Sequence, residues 1–175
     1  LPTDFTQVNH SINRILIRRA MGLLQPRAGD RVADFFCGIG NFTLPIARRA
    51  GTVQGIEGEA GLVARARANA ERNGLSNVEF ACANLEDPQA VGALSLAHAD
   101  KLLLDPPRAG ALTLIEGLRF DQCQRLVYVS CSPVTFARDA AVLVARHGFT
   151  LVETGILDMF PNTAHVESLS LFVRE

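Results

Sequence analysis

The sequence predicts an α/β fold in which a mostly parallel sheet carries helices on both faces. Three observations point there. Short β-type apolar runs alternate with stretches of helical periodicity, the pattern of successive strand–helix–strand units. Glycine or proline closes the helical stretches, at Pro26, Gly74 and Gly148. The first strand runs into a glycine turn and the second ends in an acid, Glu57. No internal repeat or low-complexity tract interrupts the alternation.

The elements follow in order. Ile12, Ile15, Leu16, Ala20 and Leu23 recur at helical spacing, which places a helix before Pro26. A strand covers Arg31–Phe36, a helix follows the glycines, and a second strand covers Thr52–Glu57. A longer helix spans Ala60–Asn73, with Gly74 as its stop. Strands are expected at Val78–Cys82, Leu102–Asp105 and Leu126–Ser130, with helical stretches between them. A helix from Pro133 to His147 stops at Gly148, and Thr150–Ile156 and Ser168–Val173 complete the strands.

Composition bounds the function. The chain of 175 residues has the length of one domain, and its 48% apolar and 20% charged content is globular rather than disordered. No apolar run is long enough to cross a bilayer, and Leu1–Phe5 has no secretory pattern. The missing initial Met leads to the expectation of a longer parent protein. Cys37, Cys82, Cys123 and Cys131 are scattered, with no C-x-x-C pair, so neither a metal centre nor a disulfide framework is expected. A reducing, cytoplasmic setting and no membrane partner are the expectation. The net charge of −1, with Lys101 as the single lysine, is low for a nucleic-acid enzyme. Another domain, rather than a local patch, is then expected to supply most of the affinity.

In such sheets ligands bind beyond the carboxyl ends of the strands. Asp34-Phe35-Phe36-Cys37-Gly38-Ile39-Gly40-Asn41-Phe42 ends the first strand, and Gly38 and Gly40 allow a sharp turn and close approach to a ligand. Glu57 is placed to accept from ribose hydroxyls. A dinucleotide fingerprint would put its third glycine at Thr43, so a pyrophosphate site is poorly formed. Asn84 after the third strand reads either as a ligand contact or as a plain turn residue. Asp105-Pro106-Pro107-Arg108 forms a stiff shelf, functional or merely a proline-bound loop. Cys131, in Ser130-Cys131-Ser132-Pro133, stands at a helix N-terminus, where a thiol pKa is lowered and a nucleophile can form. Cys37, Cys82 and Cys123 read as structural cysteines. In Asp158–Glu167 either Glu167 or His165 can serve as a general base.

Taken together, these motifs resemble the uracil-5 RNA methyltransferases. The likeness runs from Phe5-Thr6-Gln7-Val8-Asn9 to Val166-Glu167-Ser168 and is most specific at Asp34–Thr43, Asp105–Gly110, Val127–Pro133 and Asp158–Glu167. Within the family the sequence looks most like the 23S ribosomal RNA enzymes; Asp-Pro-Pro-Arg is shared with transfer RNA relatives. The resemblance implies a class I S-adenosylmethionine-dependent methyltransferase of Rossmann-like fold with seven strands. It implies Cys131 as nucleophile, Glu167 as base and Asp105 against the target base. It places Gln7, Phe36, Gly38, Gly40, Asn41, Glu57, Asn84 and Asp105 around S-adenosylmethionine, with S-adenosylhomocysteine as product and no metal in this segment. Ser132 replaces the family's usual Asn after the cysteine. The family's RNA-binding barrel and, in many members, an iron–sulfur region would lie N-terminal to this chain, and a monomer acting on RNA is expected. Rival readings are a cytosine-5 or amino-group methyltransferase and a non-catalytic RNA-binding module.

Overall fold

The computed structural model describes residues 10–94, 99–158 and 166–174. Helix α1 (His10–Leu24) leads into β1 (Arg31–Phe35), α2 (Thr43–Ala47), β2 (Thr52–Glu57), α3 (Ala60–Arg72) and β3 (Val78–Cys82). The chain continues through α4 (Pro88–Gly92), β4 (Lys101–Leu104), α5 (Leu112–Gly117), β5 (Arg125–Ser130), α6 (Pro133–His147), β6 (Thr150–Leu157) and β7 (Glu167–Val173). The seven strands lie in the order β3-β2-β1-β4-β5-β7-β6. The first five are parallel, while β7 runs antiparallel to both β5 and β6. The expected mostly parallel seven-stranded sheet is the one observed.

Alternation along the strands sends successive side chains to opposite faces. Val32, Val53, Leu103, Val127, Val129, Leu169 and Leu171 pack with Leu16, Ala20, Met21 and Leu24 of α1 and with Ile46 of α2. Ala33, Phe35, Leu102, Leu104, Leu126 and Tyr128 pack with α4, α5 and α6 on the other face. Two faces must be covered, and the sequence supplies a helix after nearly every strand to cover them. The Asp139 carboxylate ties α6 to this frame: it is fully buried, accepts from Tyr128 Oη at 2.7 Å and from the Ala111 amide at 2.6 Å.

Helix α1 departs in part from its expected face. Leu16 and Ala20 are buried as expected, but Ile15 is solvent-exposed, and Met21 and Leu24 complete the buried stripe. Arg14, Arg18 and Arg19 fix that outcome, because they claim the solvent side on which Ile15 also lies. Helix α3 stops as expected: Gly74 N–H reaches Glu71 O and Leu75 N–H reaches Ala70 O, the paired bonds of a Schellman motif. Strand β4 begins at Lys101 and ends one residue early, leaving Asp105 just beyond it.

The strand order reverses between β1 and β4, so a crevice opens between their carboxyl ends. The Asp105 amide bonds to Phe35 O there at 3.3 Å.

Candidate active site

On one side of that crevice β1 gives way to a tight loop. Phe36 takes a positive φ of 60°, sparsely allowed for a residue with a side chain, followed by Gly38 at 56° and Gly40 at 92°. The loop is fastened from the neighbouring strand: Gly38 N–H donates to Glu57 Oε2 at 3.0 Å, and Glu59 N–H donates to Oε1 at 3.1 Å. Each Glu57 oxygen keeps acceptor capacity beyond these bonds. Asn41 forms a reciprocal amide pair with Asn13 of α1, at 2.9 and 3.2 Å. Asn84 is exposed and its Oδ1 accepts from Glu86 N–H at 3.0 Å, so its turn role is realised. Gln7 lies outside the described residues, as do Met159–His165 and with them His165.

Asp34 sits beneath the loop. It is fully buried, its Oδ2 accepts from Thr43 Oγ1 at 2.5 Å, and its Oδ1 has no hydrogen-bond partner among the described residues. Burial pushes its pKa up to about 7, against the lowering effect of the Thr43 hydrogen bonds.

Across the crevice, Pro106 is buried and the shelf turns at Gly110, whose φ is 82°. Helix α6 clamps this turn: Thr135 Oγ1 donates to Arg108 O at 3.0 Å and Arg138 Nη2 to Ala109 O at 2.8 Å. A side chain at Gly110 would meet Arg138 Nη2 and Asp139 Oδ2 at 2.6 Å. Proline stiffness alone therefore does not shape the loop.

Cys131 follows β5 and is half-buried, one residue before Ser132, the N-cap of α6. The Ser132 side chain accepts from Thr135 N–H at 3.5 Å, and its amide donates to Ser130 Oγ at 3.1 Å. Asparagine is thus not needed at position 132 to cap the helix. Glu167, buried at the start of β7, stands beside this loop because Ser130 pairs with Ser168. Counting by alternation, Asp34, Asp105, Cys131 and Glu167 share the sheet face that bears α1.

The electrostatics of the group correct one expectation. The Cys131 thiol is raised rather than lowered: burial first and then the Glu167 charge push it up, and Arg108 offsets them only in part. Burial also raises Glu167. Asp105 lies well above the usual carboxylate range, from burial first and then the charges of Glu167 and Asp34. Cys37 and Cys123 are buried with raised thiols, as structural cysteines should be. Cys82 is exposed on the edge strand β3, so it is not a core residue.

The structure thus brings Asp105, Cys131 and Glu167 together, and gathers Phe36, Gly38, Gly40 and Asn41 in the adjoining loop, which Glu57 at the end of β2 fastens. The sequence reading missed Asn13 and Thr43. Thr43 was legible as a polar residue inside the glycine motif; Asn13, 28 residues from its partner, was not.

A family model described as tRNA (Uracil-5-)-methyltransferase matches residues 2–175. The chain belongs to that family. The chain is 55% identical to the 23S rRNA (uracil(1939)-C(5))-methyltransferase RlmD of Dechloromonas aromatica (strain RCB), over 98% of this chain and 40% of that protein. It is 59% identical to RlmD of Azoarcus sp. (strain BH72), over 98% of this chain and again 40% of the relative. The chain therefore spans about two fifths of those relatives' length. Among solved structures it superimposes on the Pyrococcus abyssi tRNA (uracil-54, C5)-methyltransferase in complex with S-adenosyl-L-homocysteine. That match has a TM-score of 0.84 and 33% identity, over 98% of this chain and 41% of that one. TrmN from Thermus thermophilus shares the fold at a TM-score of 0.72 and 19% identity, over 92% of this chain and 48% of its own.

Proposed function

We propose that this chain is the catalytic part of an enzyme that methylates carbon 5 of a uridine in 23S ribosomal RNA, using S-adenosylmethionine and a covalent cysteine adduct. The observation that carries the reading is the convergence of Cys131, Glu167 and Asp105 at one edge of one sheet face, beside the glycine loop.

The loop fits S-adenosylmethionine. Glu57 offers unused acceptor sites to ribose hydroxyls, and Phe36, Gly38, Gly40 and Asn41 supply a tight backbone surface. The cofactor would supply an electrophilic methyl group. Everything else falls to the chain's own residues.

Carbon 5 of uracil is a weak nucleophile. The Cys131 thiolate adds to carbon 6, and the electron pair moves towards carbon 5 and O4. Carbon 5 then takes the methyl group. Glu167 removes the proton from carbon 5, the carbon 6–sulfur bond breaks and the thiolate is released. The raised pKa of Glu167 suits it to accept that proton. Burial and the neighbouring charges favour the protonated form of Asp105, and in that form its carboxyl can donate to O4, where negative charge develops, and accept from uracil N3–H. The uridine reaches these groups by leaving any stack, at a cost of a few kcal/mol.

The identities to two RlmD proteins favour ribosomal RNA, while the solved transfer RNA enzyme makes transfer RNA the second reading. Unmodified ribosomal and transfer RNA treated with the full-length protein and labelled S-adenosylmethionine distinguishes them. Label in 5-methyluridine of a ribosomal fragment is expected. Label in transfer RNA moves the substrate, and label only in cytosine or an exocyclic amine overturns the chemistry.

A further inference from the structure

The site accounts for the acids on the α1 face but not for the cations outside it. Helix α1 carries Arg14, Arg18 and Arg19 and no acid. All three are exposed, and none makes a hydrogen bond or ion pair among the described residues. Arg14 and Arg18 are one helical turn apart, separated by about 6 Å along the axis, and Arg19 lies beside them. The segment from Phe35 to Ile56, which contains α2, adds exposed Arg48 and Arg49 and likewise no acid. The acids that bring the net charge to −1 lie elsewhere, among them Glu79, Glu86, Glu116, Asp121 and Glu153.

The direction of α1 gives this stripe its meaning. Asn13 is bonded to Asn41 at the site-bearing edge of the sheet. At the other end Leu23 O accepts from Arg125 at 2.5 Å, and Gln25 O from Lys101 at 2.5 Å, both at the starts of parallel strands. The arginine stripe therefore begins beside the glycine loop and runs down the flank of the domain. With no acid paired to them among the described residues, these guanidinium groups repel one another mildly, and a polyanion laid across them would relieve that repulsion. Their fork geometry matches phosphate oxygens.

We propose that the outward face of α1 is a phosphate-contacting surface, on which RNA entering the site lays its backbone against Arg14, Arg18 and Arg19. The inference rests on the RNA reading above and localises it. The expectation that affinity comes from elsewhere in the protein is then incomplete, because this domain holds part of the track itself.

The test uses the full-length protein with Arg14→Gln and Arg18→Gln, singly and together, and with Arg14→Lys/Arg18→Lys. Both replacements are good helix formers at exposed positions, so the helix is retained. RNA binding is followed by fluorescence anisotropy over a salt series. The glutamine double variant is expected to lower the slope of log K against log salt by roughly 0.7 per lost phosphate contact. Its KM for RNA should rise several-fold, with kcat and S-adenosylmethionine affinity unchanged and with lysine restoring the slope. An unchanged slope overturns the proposal. So does a loss that is independent of salt and accompanied by new protease sensitivity, which would assign the stripe to contact with another part of the protein. If the wild type binds and methylates no RNA, the functional reading falls and takes the inference with it.

Discussion

Ser168 donates its hydroxyl hydrogen bond to the carbonyl of Ser130 at 3.2 Å, across the antiparallel pair of β5 and β7. The residues just outside that pairing are Cys131 and Glu167. A parallel strand ending and an antiparallel strand beginning at the same place put Cys131 and Glu167, the proposed nucleophile and base, side by side. A one-residue slip would send Glu167 to the opposite face, so the register is part of the chemistry.

The raised Cys131 thiol has a kinetic consequence. The proposed mechanism needs the thiolate, so it predicts a single-turnover rate that rises with pH through and above neutrality. Arg108 is the cation that lowers this thiol. In Arg108→Gln the rising limb should move to higher pH. A limb that stays in place, or moves down, contradicts the role of that charge.

Asp34 couples the loop to stability. Its folded pKa of about 7 lies above the ordinary carboxylate value, so the folded state binds its proton more tightly than the unfolded chain does. The stabilisation is complete below the unfolded pKa and is lost as pH rises through about 7, at no more than about 1.4 kcal/mol per unit. Asp34→Asn keeps an acceptor for Thr43 and should remove this part of the pH dependence. Urea midpoints measured in mild acid and above neutrality check it; an unaltered slope would show that Asp34 does not titrate there.

Asn13 holds the Asn41 side chain, and if Asn41 lines the proposed cofactor site, Asn13 acts through it. Removing one side of the amide pair should cost about 1 kcal/mol, a roughly five-fold rise in KM for S-adenosylmethionine. The kcat at saturation and the KM for RNA should hold. In Asn41→Ala the further change Asn13→Ala should add nothing. Full additivity of the two losses would mean that Asn13 does not work by holding Asn41.

Much of the fold was legible because glycine, proline and apolar runs bound its elements. Strands Thr52–Glu57 and Val78–Cys82 and helix Pro133–His147 coincide with the sequence reading. What failed depended on tertiary surroundings. Ile15 fits a helical period as well as Leu16 does, and only the packing against the sheet chooses between them. Cys82 resembles a core cysteine until β3 is known to be an edge strand. A helix N-terminus after Cys131 is visible in Ser132-Pro133, yet the burial and the Glu167 charge that raise the thiol come from elsewhere in the chain. The clamp of Thr135, Arg138 and Asp139 on the Asp105 shelf has no sequence signature at all.

The central claim is that Cys131 and Glu167 act as nucleophile and base on one uracil. Replacing the base should stall the reaction after methyl transfer, with RNA still bonded to sulfur. The deciding measurement is the mass of the full-length Glu167→Gln variant under denaturing conditions, after incubation with unmodified RNA and S-adenosylmethionine. A protein–RNA adduct that disappears when Cys131→Ala is added is the expected result. Steady methylation by Glu167→Gln with no adduct would contradict the account.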